Sequence, residues 1–109
     1  MGHYETFTDK AGKPRFNLKA SNGQVILSSE GYESTASRDN GIAAVQRCSQ
    51  DAGCFEDKSS SSGAPYFVPK AKNGQVIGKS EMYKSAAAKD NGKASVMKNG
   101  GSTDIRERK

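Results

Sequence analysis

Few residues in this chain are of a type that could do covalent or acid–base chemistry, and they are scattered. His3 is the sole histidine and sits in a terminal segment prone to fraying, a poor place for a general base. Cys48 and Cys54 are two thiols at a spacing that matches no redox motif, and with one histidine they cannot complete a four-ligand zinc set. We expect ordinary reduced cysteines. The carboxylates Glu30 and Glu81, and Asp39 and Asp90, recur at a fixed spacing, which capping and turn bonding account for without catalysis. No Gly-rich phosphate loop and no Gly-x-Ser-x-Gly elbow is present. The expectation is a protein that is not an enzyme, with no cofactor, metal or catalytic residue.

Binding chemistry is better represented. The formal net charge is +5, and residues 55–109 carry eleven Lys or Arg against six Asp or Glu while residues 1–54 carry six of each. The surplus therefore belongs to the second half. Lys84, Lys89, Lys93 and Lys98 make a basic segment where the first half has Glu33, Arg38, Ile42 and Arg47, and Tyr66 shares a strand face with Val68 and Lys70. Together Tyr66, Lys70, Lys84, Lys89, Lys93 and Lys98 could hold nucleic acid through phosphate contacts and stacking. The preferred expectation is instead a small non-catalytic interaction or accessory domain whose sheet face and strand edge dock an unknown protein partner. A Lys-rich solvated surface would explain the charge equally simply. Serines at 34 and 85 stand where helix N-caps belong, and capped helix starts could take a small anion, as any such start can.

What must position these residues is a duplication. Asn22-Gly23-Gln24-Val25-Ile26 returns as Asn73-Gly74-Gln75-Val76-Ile77, an offset of 51 (73 minus 22), and residues 14–50 align with 65–101 without a gap. In that frame 19 of 37 pairs are identical, so the architecture is a repeat before any propensity is consulted. A unit of about 50 residues is marginal alone, so one domain over 1–109 made of two repeats, about 4–54 and 55–106, is expected to share a core and to be monomeric. Only 33% of the residues are hydrophobic and the mean hydropathy is −0.81, which makes that core thin.

Within each repeat, an aromatic strand opens the unit, His3 to Thr8 in the first. A hairpin follows, in which Asn22-Gly23 reads as a two-residue type I′ turn. That register sets Ala20 against Val25, Leu18 against Leu27 and Phe16 against Ser29, and predicts a core face of Phe16, Leu18, Ala20, Val25 and Leu27. The second copy has Pro69 and Gly78 in place of Leu18 and Leu27. With that turn the N–H missing at Pro69 points away from its hairpin partner, so the outer side of strand 66–71 is predicted to be an edge or a bulge. Helices are predicted from Thr35 to about Gln50 and from Ala86 to about Asn99, running through Asp-Asn-Gly in both copies despite its poor helix propensity. Their glycines would permit a close approach to the sheet. A last short strand is expected at 103–106, with Arg108 and Lys109 fraying. Neither a secretory h-region nor an apolar run of spanning length is present, which makes a cytoplasmic home the expectation.

Lys-Ala-x-Asn-Gly-Gln-Val-Ile at 19–26 and 70–77, Ser29-Glu30-x-Tyr32 with Ser80-Glu81-Met82-Tyr83, and the Asp-Asn-Gly segments at 39–45 and 90–96 resemble the YegP-like family of small uncharacterised bacterial proteins. The resemblance implies an α+β fold: two tandem β3-α-β units sharing one mainly antiparallel sheet, helices on one face, C-terminal strands exchanged between repeats. It thus implies that 54–58 crosses into the second unit and 103–106 into the first. Pro69, Lys93 and the cysteines depart from the common pattern. The family carries no established activity, so no functional residue is transferred.

Overall fold

A computed structural model describes residues 2–71 and 74–107, with the side chain of Ala52 left aside. The order is β1 (His3–Thr8), β2 (Pro14–Lys19), β3 (Val25–Ser29), α1 (Thr35–Cys48), a 3₁₀ turn (Ala52–Cys54), β4 (Phe55–Ser59), β5 (Pro65–Pro69), β6 (Gly78–Ser80), α2 (Ala86–Asn99) and β7 (Ile105–Glu107). Both helices run unbroken through Asp-Asn-Gly, because Ser34 Oγ accepts from Ser37 N–H and Ser85 Oγ from Ala88 N–H, fixing each first turn. The predicted tip residue Asn73 and the predicted frayed end, Arg108 and Lys109, lie outside the described residues.

The strands form two sheets, not the single shared sheet the resemblance implied. One is a mixed five-stranded sheet in the order β6-β3-β2-β1-β7, and the other pairs β4 with β5. The cause lies in the turns. Gly23 is the residue with positive φ (+85°), Gly23 N–H bonds Ala20 carbonyl, and Ala20 N–H bonds Gln24 carbonyl. This is a three-residue loop, a type I turn closed by a left-handed glycine, and not the two-residue type I′ turn expected. Lys19 consequently faces Val25, and the ladder recovers its register at Leu18–Leu27 by accommodating Ile26 as an extra residue. Ile26 is buried in the core, while Ala20 and Val25 are only half-buried.

The extra residue also inverts which N–H groups face the hairpin partner. Lys70 N–H bonds Cys54 carbonyl across β4, and Phe67 N–H bonds Ser80 Oγ on the β6 side. Alternation therefore points the missing Pro69 N–H at β6. The outer side of β5 is accordingly no edge: Phe55↔Pro69 through Ser59↔Pro65 pair regularly. Instead the β5–β6 ladder is interrupted, leaving the Lys70↔Val76 bridge and the Ile77 N–H to Pro69 carbonyl bond. Freed from β5, β6 pairs with β3 through Leu27↔Ser80 to Ser29↔Gly78 and joins the repeats.

Buried side chains from both repeats form one cluster, centred on two aromatic triads. Phe16 meets Tyr4 edge-on (5.7 Å) and stacks with Tyr32 (6.3 Å), and Phe67 repeats this with Phe55 (5.6 Å) and Tyr83 (6.3 Å). The helix glycines make room for these rings. A Cβ on Gly41 would overlap the Tyr32 hydroxyl, and one on Gly92 the Tyr83 hydroxyl, so the close approach is to tyrosine rather than to sheet backbone.

The last strand, β7, lies on the first repeat. β7 pairs in parallel with β1, Tyr4↔Ile105 to Thr6↔Glu107, and the turn before it is tied down by Gly2 N–H to Asn99 Oδ1 (2.7 Å) and Tyr4 hydroxyl to Gly100 carbonyl (2.6 Å). Burial raises the pKa of Tyr4 well above the ordinary phenol range. Burial, and after it the Cys54 thiol, pushes Cys48 up to about 12, with its Sγ donating to Lys70 carbonyl at 3.0 Å. Both groups stay protonated in the fold where the unfolded chain ionises, at about 8.5 for a thiol and about 10 for a phenol. A raised folded pKa contributes stability that is complete below those values and lost above them. Urea midpoints should thus be level from neutrality to about pH 8, then fall steadily toward pH 11. A midpoint that rises over that window would contradict the buried, protonated placement.

Candidate interaction surface around the fourth strand

By the 51-residue offset β4 is the counterpart of β1, since Phe55 matches Tyr4 and Asp57 matches Thr6. Yet the two strands differ at their outer edges. β1 lies between β2 and β7, whereas β4 pairs with β5 alone. The segment after α1 does cross into the second repeat, but it does so as that repeat's own first strand. Among the described residues no strand plays the part of β7 there. Since Lys70 N–H and the even-numbered strand positions face β5, the N–H groups of Phe55, Asp57 and Ser59 point outward. Among the described residues no backbone group bonds to that edge.

Lysines flank this edge on both faces. On the solvent face, Glu56 is held between Lys70 (2.7 Å) and Lys58 (2.9 Å). Their bonds, Lys70 first and then Lys58, hold the Glu56 carboxyl down to about 2. On the helix face, Asp57 accepts from Lys93 (2.7 Å) and Lys89 (3.0 Å), which hold its carboxyl below the usual range, Lys93 contributing most. Lys89 also lies 3.6 Å from Asp90. Lys93 occupies the position of Ile42 and Asp57 that of Thr6, so two uncharged residues of the first repeat are replaced by an ion pair in the second. The Lys93 ammonium also lies over the Phe67 ring, 6.0 Å from its centre.

Of the six residues singled out by sequence, Lys70, Lys89 and Lys93 converge on β4, and Tyr66 pairs across from Lys58 with Lys79 above its ring at 5.9 Å. Lys84 and Lys98 are exposed elsewhere on the second repeat, before α2 and in its last turn, and do not join them. Sequence reasoning overlooked Glu56, Asp57 and Lys58. Their signal was three consecutive charges inside a strand, a mark of an edge strand. His3 is half-buried in β1, and both cysteines are free, Cys48 buried and Cys54 partly so. Among the described residues no three His, Cys, Asp or Glu side chains gather as metal ligands. An open cleft of about 480 Å³ between α1 and the second hairpin is lined by Tyr32, Ser37, Asn40, Arg47 and Gln75 among others. No described helix is long and apolar enough to cross a membrane.

Comparison with known proteins recovers the duplication of this chain. The model of the family described as "Domain of unknown function (DUF1508)" matches residues 9–56 and again 60–107. The UPF0339 protein YegP of Yersinia pestis is 57% identical over 107 residues, covering 98% of this chain and 96% of that protein. A UPF0339 protein of Mannheimia succiniciproducens is 50% identical over 107 residues, covering 98% and 95%. Two solution NMR structures share the fold. The protein of unknown function YegP from E. coli superposes with a TM-score of 0.94 at 41% identity, covering 98% of this chain and 92% of that one. A UPF0339 protein from Shewanella oneidensis gives 0.92 at 43% identity, covering 97% and 90%. With two family matches spanning most of its length and curated relatives at 50% identity and above, this chain belongs to the UPF0339 (YegP) family, as a tandem pair of DUF1508 domains.

Proposed function

We propose that this protein is a small non-catalytic docking module, cytoplasmic and monomeric, whose binding element is the outer edge of β4. The observation that carries the reading is the contrast between two equivalent edges: β1 already holds an added strand, β7, while β4 offers the same outward backbone groups with no described residue paired to them. An unpaired edge gives affinity through main-chain hydrogen bonds and leaves specificity to flanking side chains. Nucleic acid is the weaker alternative, because Lys84 and Lys98 lie away from the lysines gathered at β4, so the six residues form no continuous basic track. Binding dominated by phosphate contacts would fall steeply with salt.

The test is amide exchange of the labelled protein in extract of the source cell, with Ser59→Pro as the edge-blocked variant. Ser59 closes the ladder and its N–H points outward, so proline removes an edge donor and leaves the N–H groups facing β5. Slowed exchange at Phe55, Asp57 and Ser59 in the parent, lost in the variant, supports the reading. Protection confined to another surface would end it.

A further inference from the structure

We propose that the occupant of the β4 edge is an acidic extended peptide segment, added as a parallel strand with carboxylates on both of its faces. This rests on the docking reading above and names the chemistry of the partner.

The first repeat supplies the template. β7 runs parallel to β1, Tyr4 N–H donates to Asp104 carbonyl at 2.9 Å, and Thr6 Oγ1 donates to Arg106 carbonyl at 3.4 Å. Moved by the repeat offset, the same geometry places an incoming strand against Phe55 and Asp57. A strand there presents alternate side chains to opposite faces of the sheet. One set would meet Lys58 and Lys70, the other Lys89 and Lys93.

The charge differs between filled and open edges in a way that selects the partner. At the positions of Lys58, Lys70, Lys89 and Lys93 the first repeat has Phe7, Lys19, Arg38 and Ile42. Its two cations are matched, Lys19 by Glu5 (3.1 Å) and Arg38 by Asp39 (3.0 Å). Around β4 those four lysines stand beside three carboxylates, Glu56, Asp57 and Asp90. At these four positions the open edge carries four lysines, while the filled edge carries two cations, Lys19 and Arg38, beside Phe7 and Ile42. A surplus of ammonium groups flanking both sides of an empty strand position complements carboxylates on both faces of the strand that fills it, and disfavours a basic one.

The probe is a ten-residue peptide alternating Glu and Thr, titrated into labelled protein at low salt and followed by amide chemical shifts. Its Gln-for-Glu and Lys-for-Glu counterparts serve as comparisons. The Glu peptide should shift Phe55, Asp57 and Ser59, bind at least about 10-fold more tightly than the Gln peptide, and weaken as salt screens the lysines. Lys93→Ile, which restores the residue of the first repeat, and the surface variant Lys58→Gln should each weaken the Glu peptide. Equal binding of the Gln or Lys peptide at β4 overturns the acidic partner and leaves the docking reading standing. No shift at β4 with any peptide overturns both, and the lysines then serve to keep an open edge from pairing with itself. Concentration-dependent shifts of β4 without peptide would make a second copy the occupant and likewise overturn the proposal.

Discussion

Phe16→Ala should lower the unfolding free energy by about 3–5 kcal/mol, the range for truncating a buried aromatic. Phe16 is 1% exposed and is the middle ring of its triad, so its removal leaves Tyr4 and Tyr32 facing a void, with Gly41 providing no side chain to fill it. Set against the typical 5–15 kcal/mol for a domain, this would bring a protein with so thin a core close to its unfolding midpoint at room temperature. Urea unfolding followed by circular dichroism measures the loss directly. A cost under about 1 kcal/mol would mean that the triad does not anchor the first repeat.

Gly78→Leu is the second large effect, and its sign separates two ways of reading the chain. Leucine is the residue of the first repeat at this position, Leu27, so matching the copies would be expected to add core and stabilise. The structure predicts the opposite, a loss of about 1–3 kcal/mol from forced backbone shifts. A Cβ on Gly78 would overlap the Ser28 carbonyl oxygen and come within 3.2 Å of Ser29 Cα, at the seam where β6 joins β3. The nearest atoms are all β3 backbone, which leaves no flexible side chain to give way. Thermal unfolding of the variant is enough: a raised Tm would show that the seam is looser than described.

The architecture was legible because duplication and periodicity are sequence-level properties. Helices through Asp39-Asn40-Gly41 and Asp90-Asn91-Gly92 followed from weighing one capped helix against two unsupported fragments, and the Ser34 and Ser85 caps justify that choice. The turn was misjudged because Asn22-Gly23 suits a type I′ turn so well. A Gly in the left-handed region after a type I turn has the same sequence signature, and one residue of difference in loop length inverts every outward N–H. That inversion moved the effect of Pro69 from the β4 side to the β6 side and broke the expected single sheet in two. Lys70, Lys89 and Lys93 could be picked out by their charge. Their partners could not, since Lys93 reaches Asp57 across 36 residues and Lys70 reaches Glu56 across 14. The open edge itself was hidden because 54–58 was expected to be the exchanged last strand of the first repeat, whereas Phe55–Ser59 is the first strand of the second and pairs with β5.

The difference between the two edges can be measured amide by amide in the isolated protein. Tyr4 N–H, bonded to Asp104 carbonyl, should exchange slowly, at a rate set by the opening of β7 or of the whole domain, while Phe55 N–H, its counterpart one repeat along, should exchange nearly as fast as an unstructured amide. Comparable protection of Tyr4 and Phe55 would mean that the edge of β4 is already covered, and would contradict the account.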